Sequence, residues 1–291
     1  MLNPDEAAGR RIGIALVSLA TVAFAALDAA AKWLVLTLPV VQVAWLRFVM
    51  HVLVMGALLA PARGSALVRV HSARLQWLRG ALLAAMTGLN FWALQYLQLA
   101  ETGAMTFSVP IVIALLSAWW LHERLDVRRW LAVAAGFVGV LLVIRPGTYA
   151  FHWAILLSAA NALITACFNL LTRRMAASET PESMQWLSAG VAALVLAPFA
   201  LADWRWPADL PSWGVIAFTG LAGGVGHLCV ARAHRHASAA LLGPFLYQQI
   251  LYMTLAGWLV FGQVPDAYVV AGALVVVASG LYLLGLALAR R

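Results

Sequence analysis

Residues 80–106 read GALLAAMTGLNFWALQYLQLAETGAMT, and residues 220–246 read GLAGGVGHLCVARAHRHASAALLGPFL. Laid over one another with a shift of 140 positions, the two runs extend to 142 and 284. Gly80, Ala100, Gly103 and Asp126 then fall on Gly220, Ala240, Gly243 and Asp266. Four identities carry little weight alone, but the order of hydrophobic blocks and breaks recurs with them. The shift is close to half of the 291 residues, so the chain reads as a duplicated unit. A unit with an odd number of membrane spans must place its second copy upside down relative to the first.

Composition points to a membrane. Hydrophobic residues make up 64%, charged residues 10%, and the mean hydropathy is +0.90. A water-exposed domain carries about 25% charged residues, so that class is excluded. The net charge of +8 comes from eighteen arginines and Lys32 against eleven acids. Nucleic-acid binding needs a contiguous basic surface, whereas these arginines sit in short clusters between apolar blocks. Cys167 and Cys229 lie inside apolar stretches, with neither metal-ligand spacing nor a disulfide framework. Residues 1–31 resemble a signal peptide in outline, but the spans that follow favour a retained first helix.

A crossing helix needs about 20 mostly apolar residues. Ten blocks qualify, near 12–36, 40–60, 76–97, 103–121, 129–146, 151–172, 184–202, 213–231, 239–261 and 267–288. Breaks such as Leu38-Pro39, Arg145-Pro146-Gly147 and Val264-Pro265 separate them. The connections are short, so no soluble domain is expected. With the N-terminus in the cytoplasm, fifteen of the nineteen basic residues fall inside, among them Arg10, Arg11, Arg63, Arg79, Arg124, Arg128, Arg173 and Arg235. Only Arg145 and Arg205 fall outside, while Lys32 and Arg47 lie within spans. This bias predicts both termini in the cytoplasm of a cell's inner membrane, and an even number of spans. The predicted fold is all-α: ten transmembrane helices as two inverted five-helix repeats, 1–148 and 149–291, around a central cavity.

Each polar side chain inside a span needs a reason, since an ionisable group at mid-bilayer costs about 2.5–3.5 kcal/mol on insertion scales. Asp28 and Lys32 are four residues apart in the first span, and Arg47 and His51 four apart in the second. Counted outward from the turn near Leu38 at 1.5 Å per residue, Asp28 and Arg47 reach similar depth. They form either an internal salt bridge, Asp28–Arg47 or Asp28–Lys32, or the charged lining of a cavity. His51 reads as a packed hydrogen-bonding group or a proton carrier, and His227 is similar. Asn161, Thr165 and Asn169 form a polar stripe that lipid leaves without partners. Trp92, Gln95 and Tyr96 in the third span, and Tyr247, Gln248 and Tyr252 in the ninth, suit a ligand with a flat body and a polar handle. The alternative for the aromatics is an interfacial belt, which fits Trp153, Trp204, Trp206 and Trp213 better. Pro110 should kink the fourth span beside the cavity and act as a gate. Gly220/Gly224, Ala132/Gly136 and Ala135/Gly139 have small-xxx-small spacing. They read as packing within a monomer, with a dimer contact as the other reading.

Several strings resemble the EamA-type members of the drug/metabolite transporter superfamily. They are Trp45-Leu46-Arg47-Phe48, Phe91-Trp92-Ala93-Leu94-Gln95-Tyr96, the run from Ala100 through Pro110 to His122-Glu123-Arg124-Leu125, and Gly136-Phe137-Val138-Gly139-Val140 with Ile144-Arg145-Pro146-Gly147. The resemblance covers nearly the whole chain and is stronger in the first half. It implies a secondary transporter moving a small organic metabolite, amino-acid-, nucleoside- or vitamin-like, through a site between the repeats. Its partners would be that solute, the bilayer and, where transport is coupled, a proton or another ion. The second half departs from the pattern, with Gly262-Gln263 where the first has His122-Glu123, and Ile250 where it has Pro110.

Two other classes fare worse. An intramembrane enzyme needs a pair of acids, a nucleophile with its base or a metal set, and no HExxH, CxxC or second mid-membrane carboxylate beside Asp28 occurs. A channel or scaffold needs charged rings or a filter loop, which the sequence lacks. No P-loop is present, so ATP does not drive the protein directly. No cofactor is expected.

Overall fold

The computed structural model describes residues 4–120, 126–176, 178–237 and 239–288. The motif residues His122-Glu123-Arg124-Leu125 and the arginines 290 and 291 lie outside them. The described residues form twelve α-helices and no strands: α1 (Pro4–Val35), α2 (Val40–Arg63), α3 (Ala73–Tyr96), α4 (Leu99–Thr106), α5 (Val109–Trp120), α6 (Val127–Ile144), α7 (Ile155–Met175), α8 (Pro181–Ala202), α9 (Leu210–His236), α10 (Ala239–Leu246), α11 (Gln248–Phe261) and α12 (Ala267–Leu288). A 3₁₀ turn, Gly64–Leu67, follows α2.

Eight segments are long and apolar enough to cross a membrane, against the ten expected from sequence. The expected third and ninth spans fall short. Helix α3 has the length, but Arg74, Gln76, Arg79, Asn90 and Gln95 lower its hydropathy. The expected ninth span is divided into α10 and α11, of 8 and 14 residues. The expected fourth span is divided as well. Pro110 falls in the first turn of α5, where its missing N–H removes no helical bond, so a full break at Phe107-Ser108 replaces the expected kink. Ser108 donates through its hydroxyl to the Met105 carbonyl at 2.6 Å, which satisfies an acceptor left over by α4.

Apolar burial cannot drive helices together in lipid, so close packing at small residues has to. The contact pattern is reciprocal between the halves. Helix α9 packs on α1 and α2, while α3 packs on α7 and α8. Gly220 of α9 lies so close to Met50 and the His51 amide that any Cβ would overlap them, and Gly80 of α3 meets Val191 in the same way. Helices α6 and α12 touch at Gly139 and Gly272, where a Cβ on either would lie 2.9 or 2.6 Å from the other's carbonyl oxygen. Seven residues along, the Ser279 hydroxyl donates to the Ala132 carbonyl at 2.6 Å. The main apolar core gathers Leu27, Leu34, Leu46, Phe91, Ile216 and Met253.

Polar clasps close the ends of the bundle. Beyond the C-terminal end of α2, Glu182 accepts from Arg63 at 2.8 Å and Arg235 at 3.2 Å. Glu179 accepts from the backbone N–H groups of His71 and Ser72 at 2.6 and 3.2 Å. At the other end of α2, the Gln42 amide donates to the Arg205 carbonyl at 2.6 Å and accepts from its N–H at 2.9 Å. Asp126 and Asp266 cap α6 and α12 in equivalent positions, each accepting from a backbone N–H at 2.9 Å. The Val269 N–H, helped by Arg145 at 2.6 Å, holds the Asp266 carboxyl below the usual carboxylate range.

Candidate functional site

A polar cluster forms where α1, α2, α3 and α9 meet. Asp28 comes from α1, Arg47 and His51 from successive turns of α2, and Thr87 and Asn90 from successive turns of α3. All three charged or ionisable groups are buried, with Asp28 8%, Arg47 5% and His51 1% exposed. Asn90 donates to the Asp28 carboxylate at 3.0 Å. Arg47 reaches Thr87 through one long bond of 3.3 Å, and its guanidinium lies 4.6 Å from the Phe48 ring. No ion pair joins Asp28 to Arg47 or to Lys32. Arg47 Nε and both ring nitrogens of His51 have no hydrogen-bond partner among the described residues. Facing them, α9 presents Gly223, where a Cβ would stand 3.2 Å from the guanidinium, and His227, whose ring lies 6.5 Å from that of His51. A buried cation and a buried acid thus lie in one cluster without an ion pair, next to polar nitrogens that have no hydrogen-bond partner among the described residues.

The other candidate residues divide into groups. Lys32 is buried and donates to the carbonyls of Leu94 and Leu97 at 2.7 and 2.6 Å. It therefore ties α1 to the C-terminal end of α3, with the Phe261 ring 5.5 Å away. Gln95 donates to the Val35 carbonyl at 3.2 Å, part of the same junction. Trp92 and Tyr96 are 44% and 48% exposed. They cluster with Trp153 at ring distances of 6.0 and 5.2 Å, which groups them with a residue expected at the interface. Asn161 is buried and accepts from Thr165 at 3.4 Å, whereas Asn169 is exposed, so the stripe of α7 runs from a buried end to an exposed one. Tyr252 donates to Gln248 at 3.5 Å.

Tyr247 sits in the break between α10 and α11, and Phe107 in that between α4 and α5. The two are equivalent under the 140-residue shift, and their rings are 5.0 Å apart. Beside this pair a cavity of about 660 Å³ opens between α10, α11 and α12. Tyr247 and Gln248 line it with Leu251, Leu255 and Leu274. None of its lining residues is charged and those leucines are exposed at the outer surface, so it faces the hydrocarbon rather than the polar cluster. Among the described residues no group of His, Cys, Asp and Glu has the arrangement to hold a metal ion.

Arg79, one of the arginines of the positive-inside pattern, is only 4% exposed. Its guanidinium donates to Thr172 at 2.9 Å, the Met184 carbonyl at 2.8 Å and Ser188 at 2.6 Å, and lies 4.4 Å from the Phe168 ring. Gln76 joins Met184 and Ser188 at 2.9 Å each. A signal for this network exists in the chain. Trp45-Leu46-Arg47 recurs as Trp186-Leu187-Ser188, which marks Ser188 as the counterpart of Arg47.

Comparison with known proteins agrees with these features. A riboflavin transporter of Vibrio cholerae is 29% identical over 65% of this chain, and the chain spans 63% of that relative's length. A pseudopaline exporter, CntI, of Pseudomonas aeruginosa is 26% identical, covering 92% of this chain and 94% of the relative. A solved crystal structure with 21% identity superposes over 98% of both chains with a TM-score of 0.63. The profile described as the EamA-like transporter family matches residues 11–145 and again 152–285, so the chain belongs to that family of membrane transporters.

Proposed function

We propose that the protein is a secondary transporter that moves a small organic metabolite across the inner membrane by alternating access. In this reading the chain crosses ten times, as two inverted repeats spanning 1–148 and 149–291, with both termini in the cytoplasm. The pairs α4–α5 and α10–α11 each count as one broken crossing. One observation carries the reading. Gly139 and Ser279 are equivalent positions, as are Ala132 and Gly272, and the contacts made are Gly139 with Gly272 and Ser279 with Ala132. Position numbers fall along α6 as they rise along α12, so equivalent helices run antiparallel, as inverted copies must.

The contact of Phe107 with its own equivalent, Tyr247, supports a pseudo-two-fold axis through both helix breaks. Broken helices at a repeat interface are where transporter folds build their sites and flex. The clasp of Arg63, Glu182 and Arg235 supports the assigned sidedness, because all three belong to segments assigned to the cytoplasm. Rocking of one half against the other would open the Asp28–Arg47–His51 cluster to each side in turn. The solute is amino-acid-, nucleoside- or vitamin-like, moved by facilitated or ion-coupled transport.

The test is flux in proteoliposomes of purified protein against riboflavin, amino acids and nucleosides. Saturable uptake of one solute, lost in Asp28→Asn, is expected. Flux abolished by a protonophore and restored by an imposed pH step assigns a proton as the coupling ion, and indifference to both assigns facilitated transport. The reading fails if no solute moves, or if tags on the two termini are accessible from opposite faces.

A further inference from the structure

We infer that Arg47 and His51 form the anion-binding half of the transport site, and that the solute is a zwitterion carrying its carboxylate to them and its cationic group to Asp28. This rests on the transport reading above and names the solute class for the same cluster.

Three observations carry it. First, Arg47 has five N–H donors, of which one makes a single bond of 3.3 Å, while its Nε and both His51 nitrogens bind nothing among the described residues. An unmet buried donor is costly, and Arg79, which donates three bonds, shows that this fold can supply partners to a buried guanidinium. The idle donors are therefore retained for something that arrives. Second, Asp28 is held by Asn90 and does not close on Arg47. Separated opposite charges in a medium of low dielectric are matched by a solute that carries both, each end replacing the water it loses. One guanidinium offset by one carboxylate also suits a net-neutral solute better than a phosphate, which brings close to two negative charges. Third, Gly223 keeps the surface opposite the guanidinium free of side chain, since even a methyl group would press on Nη2 at 3.2 Å.

The experiment uses the intact protein in detergent and in proteoliposomes. The probes are the common L-amino acids, their carboxamides, their N-acetyl forms and riboflavin, with pyridoxal phosphate as the phosphate probe. At least one amino acid should bind saturably and move, and its carboxamide and N-acetyl form should each bind about tenfold or more weakly. Arg47→Gln should bring the amino acid and its carboxamide to within about twofold of each other, and Asp28→Asn should do the same for the N-acetyl form. Should Arg47→Gln fail to elute as folded protein, Arg47→Lys keeps the charge but loses the planar fork. It should weaken the amino acid about tenfold while leaving the carboxamide unchanged. Saturable riboflavin flux that Arg47→Gln leaves intact would overturn the zwitterion assignment while the transport reading stands. Tighter binding of pyridoxal phosphate than of any amino acid, or no amino-acid binding, overturns it too. Absence of flux for every probe strikes the transport reading itself.

Discussion

The crossing of α2 with α9 and that of α8 with α3 occupy equivalent places in the two halves, yet they handle one buried arginine in opposite ways. Each is brought close by a glycine, Gly220 against Met50 in one and Gly80 against Val191 in the other. In the α8–α3 crossing the arginine is Arg79, on α3, and it donates three bonds, to Thr172, the Met184 carbonyl and Ser188. In the α2–α9 crossing the arginine has moved to α2, as Arg47, and among the described residues the facing helix, with Gly223 against the guanidinium, gives it no hydrogen bond. The first arrangement welds helices together. The second leaves buried donors idle, and idle buried donors are costly. The difference teaches that burial and charge alone do not separate a structural arginine from a binding one; the count of satisfied donors does.

The sharpest way to break this comparison is to remove each arginine in turn. Arg79→Ala should lower stability by about 3 kcal/mol or more, because three charge-assisted bonds between helices go. Arg47→Gln should lose transport yet shift the melting temperature far less. Equal destabilisation of the two, read by thermal unfolding in detergent, would erase the distinction. Lys32→Met should cost about 2–3 kcal/mol, since the carbonyls of Leu94 and Leu97 lose a charged donor. Residual flux per folded molecule should stay near wild type, and a selective loss of flux would move Lys32 into the site. Overpacking probes the glycines: Gly80→Val and Gly220→Val should each cost about 1–3 kcal/mol by forcing the paired helices apart. If only one of them destabilises, the crossings are not equivalent.

The smallest effect concerns Asp266, whose carboxyl is held low by the Val269 N–H and by Arg145. A depressed folded value means that its contribution is present above the unfolded carboxylate range and fades as pH falls through the folded value. Asp266→Ala should therefore lower the melting temperature by about 2–4 °C at neutral pH, through loss of a helix cap. The gap should close in strong acid, and a gap independent of pH would place the effect elsewhere.

Much of this was legible in the chain. The duplication, the membrane class and the nearness of Asp28 and Arg47 follow from hydropathy, spacing and helix rise, all properties of residues near one another in sequence. Other assignments needed partners far away. Lys32 and Arg47 look alike as lone cations in apolar spans. One is met by carbonyls 62 and 65 positions on, the other by a single hydroxyl 40 positions on. Trp92 and Tyr96 alternate with inward neighbours in a helix whose outer face no local pattern marks, and their grouping with Trp153 emerged only on packing. The split of two crossings at Phe107 and Tyr247 was hidden as well, because an apolar run reads as continuous whether or not its backbone is.

The sequence by itself determined that this protein lives in a membrane, folds as helices and repeats itself, because a bilayer acts on every residue by its own polarity. Only the tertiary structure decided which buried polar groups are satisfied and which are left waiting. Hydrogen bonds are short and directional, and their partners here lie on helices that no local rule brings together.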